Sequence, residues 1–93
     1  MSKQKDRNEL HQQIIDFFER SAVEGYVNHT IPEVVKGLNG DRRKIEKALA
    51  VLSVEDKIPP SPLVEIVKFQ GQRRVNCYML RDVFDFCQKL VKD

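Results

Sequence analysis

Ninety-three residues, 41% hydrophobic and 32% charged, with no tryptophan, fit one domain with a single core and leave no room for a deep catalytic cleft beside it. No apolar run approaches the roughly 18 residues that cross a bilayer, and the charged start, Met1 to Asn8, has no apolar segment behind it, so the chain reads as intracellular, nuclear or cytoplasmic, without a membrane partner. The net charge of +2 is unevenly spread: residues 41–47 hold four basic and two acidic groups, residues 68–81 hold four basic and none acidic, and the remainder therefore sums to −4.

Residues 1–7 are expected as a disordered tail. Leu10, Ile14, Phe17 and Phe18 then recur at i, i+4, i+7 and i+8, which predicts an amphipathic helix over about 8–22, ended at Gly25 by a backbone conformation that other residues avoid. Tyr26 to His29 is too short for a helix and reads as an extended connector or a sheet-edge strand, with His29 at the surface or in a turn. Thr30-Ile31-Pro32-Glu33 is a capping box: the threonine hydroxyl accepts from a free backbone N–H, Glu33 reaches back, and proline occupies the first turn, where its missing N–H costs nothing. The short helix that follows buries Ile31, Val34, Val35 and Leu38 and stops at Asn39-Gly40. Asp41 caps a third helix at once, in which Ile45, Ala48, Leu49 and Leu52 face inward.

Three prolines in Pro59-Pro60-Ser61-Pro62 exclude helix and make a stiff connector. Residues 63–69 and 73–80, rich in β-branched and aromatic side chains, flank Gln70-Gly71-Gln72 and predict a hairpin with glycine at its tip. In its second strand Val75, Cys77 and Met79 alternate with Arg74, Asn76, Tyr78 and Leu80, and either set could face the core. Asp82 is expected to cap a last helix with the stripe Val83, Phe84, Cys87, Leu90 and Val91. That helix either lies on the first as an extra layer or pairs with its copy in a second chain, as a homodimer that would set two third helices about one duplex turn apart.

The chemistry-bearing residues are few. Cys77 and Cys87 fit no CxxC pairing and are expected to be reduced and mostly buried. His11 and His29 are far from each other and from the cysteines, so no metal site and no cofactor is expected. No nucleophile, base or paired-carboxylate arrangement sits near a glycine-rich loop, which argues against an enzyme.

The order helix, short strand, short helix, tight turn, helix, hairpin, helix resembles the winged helix-turn-helix superfamily over residues 8–82, carried by the Thr30 to Glu33 helix start, the Asn39-Gly40-Asp41 turn, the helix from Arg42 to Leu52 and the basic hairpin 63–80. The resemblance implies a mainly α fold with a small β-hairpin (α+β), made of a three-helix core, a wing and a C-terminal helix over 83–93. It also implies that the third helix enters the major groove of duplex DNA, favoured over RNA, while the wing follows the backbone, as in DNA-binding regulators of transcription. Transferred to this chain, the third helix offers Arg42, Arg43, Lys44 and Lys47, and the wing offers Lys68, Gln70, Gln72, Arg73 and Arg74. Arginine at the helix start suits bidentate reading of guanine, and the lysines suit phosphate.

A narrower likeness, to the Z-DNA-binding winged helices, rests on Arg42 to Leu49 and Pro59-Pro60. Where those domains use asparagine and tyrosine this chain has Glu46 and Ala50, and it lacks their wing tryptophan, so recognition of left-handed DNA is not expected. The competing class is a protein-interaction winged helix within a larger assembly, for which Glu46 on the third helix and Glu65 on the wing speak.

Overall fold

The computed structural model describes the backbone of residues 2–92 and the side chains of residues 9–91. Its elements are α1 (Ser2–Val23), β1 (Asn28–Thr30), α2 (Ile31–Leu38), α3 (Arg42–Leu52), β2 (Leu63–Gln70), β3 (Arg73–Leu80) and α4 (Arg81–Lys92). The strands form one antiparallel sheet in the order β1-β3-β2. Among the described residues the fold is thus α+β, four helices with a three-stranded sheet, and none of these helices is long and apolar enough to cross a membrane.

Local chemistry sets most boundaries. Thr30 caps α2 with a complete capping box: its hydroxyl accepts from the Glu33 N–H at 3.4 Å, and the Glu33 carboxylate accepts from the Thr30 N–H at 2.7 Å. Asp41 caps α3 by accepting from the N–H groups of Arg43 (2.8 Å) and Lys44 (3.4 Å). Gly25 follows α1 at φ +97°, the conformation expected of it. At the end of α2 the left-handed residue is Asn39 (φ 53°) rather than Gly40, which asparagine tolerates better than other side chains do.

Two helix starts differ from expectation. α1 begins at Ser2, so from there on the residues expected as a tail are its first turns, because 2–7 contain no glycine or proline to stop it. Met1 lies outside the described residues. α4 begins at Arg81, directly after β3, which places Asp82 inside the first turn instead of at the cap.

One face of the sheet meets the first three helices. Ile14, Phe18, Val34, Ile45, Ala48, Leu49 and Leu52 form a continuous buried cluster with Leu63 of β2 and Tyr78 of β3. The register Leu63↔Leu80, Val64↔Met79 and Ile66↔Cys77 then fixes the other face as Val64, Ile66, Cys77 and Met79. Both alternating sets of β3 are therefore partly buried, since Cys77, Tyr78 and Met79 are consecutive core residues of the central strand. α4 follows β3 directly and has its principal contacts with β2 and β3, whereas α1 is not among its principal neighbours in the described residues. Cys77 is buried as expected, with its thiol pushed up by burial, whereas Cys87 is exposed on α4.

His29 departs furthest from expectation. It lies on β1 opposite Tyr78, buried, with its ring centroid 4.8 Å from that of Phe17 and 5.1 Å from that of Phe18. Strand pairing turned it inward, which nothing adjacent in sequence announces. Burial lowers its pKa below 6.5, against the opposing pull of Glu33 and of the hydrogen bond to the Tyr26 backbone, and Nε2 is buried without a hydrogen-bond partner. Below pH 6.5 the unfolded chain takes up this proton more readily than the folded one, so stability falls as the pH drops from 6.5 toward the lowered value. Urea midpoints at pH 7 and pH 5 should differ more for the natural chain than for His29→Phe; equal differences would contradict the assignment.

The crossing of α1 and α2 depends on Gly37. A Cβ there would overlap Phe17 Cε1, and the Phe17 ring is held edge-on to Phe18 at 5.9 Å. Alanine would gain up to about 1 kcal/mol in helix propensity, but forcing atoms into a filled contact costs about 1 to 3 kcal/mol. With the ring fixed between Phe18 and His29, the overlap prevails: Gly37→Ala should destabilise by about 1 to 2 kcal/mol in a denaturant titration.

Candidate nucleic-acid interface

The buried stripe of α3 orients the rest of the helix. With Ile45, Ala48, Leu49 and Leu52 facing the core, Arg43, Lys47 and Ala50 lie diametrically outward, Lys44 and Val51 flank one side, and Arg42 and Glu46 flank the other. Arg42 and Glu46 form an ion pair at 3.0 Å between largely exposed side chains, an i,i+4 contact worth about 0.3 to 0.5 kcal/mol. Its effect is mainly positional, because it holds the Arg42 guanidinium along the helix.

The hairpin turns at Gly71 (φ +66°) with Gln70 paired to Arg73 and Phe69 to Arg74. Toward its tip the hairpin leaves the core, and Val67, Phe69, Arg74 and Asn76, which share the Tyr78 face of the sheet, are exposed. Between the hairpin and the helix starts lies an open concavity of about 540 Å³, lined by Arg42, by Gln70, Arg73, Arg74 and Asn76, and by Glu33 with the start of α2. Arg42 and the two hairpin arginines are about thirty residues apart in sequence and share this one opening.

Four of the nine expected contact residues thus converge: Arg42, Gln70, Arg73 and Arg74. Arg43, Lys44 and Lys47 are exposed on α3 outside the concavity, and Gln72 is exposed at the hairpin tip. Lys68 is not brought to the opening. Its register partner Val75 and its same-face neighbours Gln70 and Arg73 line the opening, but its own Nζ is turned to β1, where it donates to Asn28 Oδ1 at 3.3 Å.

Arg81, counted with the basic hairpin segment, is structural. Its Nε donates to the Ser61 carbonyl at 2.6 Å, its Nη2 to the Leu63 carbonyl at 3.5 Å, and its backbone N–H to the Pro62 carbonyl at 2.8 Å. Buried Ser61 in turn donates its hydroxyl to the Val54 carbonyl at 2.7 Å. Together these bonds pin the proline-rich connector against the start of α4, and they withdraw one positive charge from the surface.

Acidic groups mark the inner end of the same side. Tyr78 Oη donates to Glu65 Oε2 at 3.3 Å, and burial, followed by the charge and hydrogen bond of Glu65 and the charge of Glu46, raises the tyrosine pKa. Sequence reasoning missed Asn76 and the Thr30 to Glu33 lining. The alternation Arg74-Asn76-Tyr78 carried a signal for Asn76, but the α2 residues reach the opening only through the β1–β3 pairing.

No protein-family model, no curated protein and no solved structure matches this chain.

Proposed function

We propose that this chain is a winged helix-turn-helix module acting inside the cell, which binds nucleic acid, duplex DNA before RNA, and performs no catalysis. The observation that carries the proposal is the convergence of Arg42 at the start of α3 with Arg73 and Arg74 of the hairpin around one open, polar concavity. Arg43, at the centre of the outward face of α3, is the base-reading residue, since a guanidinium there can meet guanine O6 and N7 together. Arg42, held by Glu46, reads or braces beside it. Lys44 and Lys47 neutralise phosphates along the helix, and Gln70, Gln72, Arg73 and Arg74 seat the hairpin on the backbone.

The test is a salt titration of binding to duplex DNA, single-stranded DNA and double-stranded RNA in parallel. Contact with about four to six phosphates gives a slope of log K against log salt of roughly −4 to −5, with duplex DNA the tightest of the three.

A protein-interaction module is the second reading. Glu46 and Glu65 lie where phosphate would be repelled, and Val67 and Phe69 are exposed on the same side of the hairpin, Phe69 by 67%. Absence of binding to every nucleic acid at low salt, from a folded protein, decides for that reading.

A further inference from the structure

α4 is anchored at one end only. Val83 and Phe84, next to the sheet, are half-buried, whereas from Phe86 onward every apolar side chain is exposed: Phe86 by 61%, Leu90 by 63%, Val91 by 82%, and Cys87 with them. At about 100° per residue, Val83, Phe84, Phe86, Cys87, Leu90 and Val91 fall in one arc of about 160°, and Arg81, Asp82, Asp85, Gln88 and Lys89 occupy the opposite side. A helix of 12 residues is marginal in water without burial of its apolar face. The described chain covers only the first turn of that face.

We propose that the open stripe of α4 is closed by α4 of a second copy of this chain, running antiparallel across a two-fold axis beside Phe86. The charge pattern selects this occupant. Asp82 and Lys89 stand seven residues apart, two helical turns, on the same flank of the stripe next to Phe86. An antiparallel copy centred between Asp85 and Phe86 sets Asp82 of each chain beside Lys89 of the other, so one sequence supplies both halves of two ion pairs. A parallel copy forms neither, and a partner helix carrying one sign of charge would match one end of the flank and oppose the other. Self-complementarity of this kind is what a two-fold interface requires. The two Phe86 rings meet at the axis, where an offset or edge-on contact adds to their burial.

Sedimentation equilibrium of the full chain from about 1 to 200 μM tests the proposal, a range that brackets the affinity of a small helix-pair interface. The expected result is a concentration-dependent mass approaching twice that of the chain. Leu90→Glu should weaken association by roughly tenfold or more, while leaving the core's melting transition in place because Leu90 is exposed. Asp82→Lys and Lys89→Asp should each weaken it roughly fivefold, and the double exchange should restore it to within about twofold. A monomer at all concentrations overturns the proposal, as does a dimer indifferent to Leu90→Glu. Charge reversals that weaken association without rescue in the double variant overturn the antiparallel arrangement. None of these readouts involves nucleic acid, so the result stands apart from the proposed function.

Discussion

Arg73→Glu combined with Arg74→Glu should reduce duplex DNA binding by about a hundredfold or more near 0.1 M salt and make the salt slope shallower by about two. Each reversal removes one counterion-releasing contact and sets a like charge against phosphate, and both side chains are exposed at the end of a hairpin, remote from the buried cluster. The melting transition should therefore be unchanged, which separates lost binding from lost fold. The loss should be nearly uniform across DNA sequences, because backbone contacts position a protein without reading bases. Arg43→Ala should behave differently, costing about 1 to 3 kcal/mol on a preferred sequence and little elsewhere. Hairpin variants that bind as the natural chain does, together with impaired binding by Glu46→Ala, would contradict the placement of the backbone contacts.

What could be read from the chain alone follows the reach of the interactions involved. The caps at Thr30 and Asp41, the stop at Gly25 and the turn at Gly71 are decided by atoms within four residues of each other, and they stand where the sequence places them. The buried stripe of α3 was legible for the same reason, and with it the outward direction of Arg43 and Lys47. Arg81 shows the limit. It closes a run of basic residues, and only the fold of a connector 20 residues earlier reveals that its guanidinium is committed to the Ser61 and Leu63 carbonyls. Lys68 and His29 were obscured in the same way, since their orientation depends on pairing between β1, β3 and β2 across as many as 51 residues, from Asn28 to Met79. The candidate site is legible as two basic segments in sequence. Their meeting at one opening is a property of the register.

Phe18→Ala should cost about 3 to 5 kcal/mol, enough to leave a domain of ordinary stability, about 5 to 15 kcal/mol, partly unfolded at 37 °C. The five phenylalanines of this chain differ in surroundings more than in chemistry, and surroundings set the size of the effect. Phe18 is 1% exposed, packs edge-on against both Phe17 and His29, and belongs to the cluster that joins α1, α2, α3 and the sheet. Alanine there removes the transfer energy of the ring and leaves a cavity lined by fixed neighbours. The same truncation at Phe69, 67% exposed, has no cavity to create and should change stability by less than about 0.5 kcal/mol. Urea titrations of both variants check the contrast. Equal midpoints for Phe18→Ala and Phe69→Ala would mean that the helices do not close on the sheet through Phe18, and the positions of α3 and the hairpin relative to one another would lose their support.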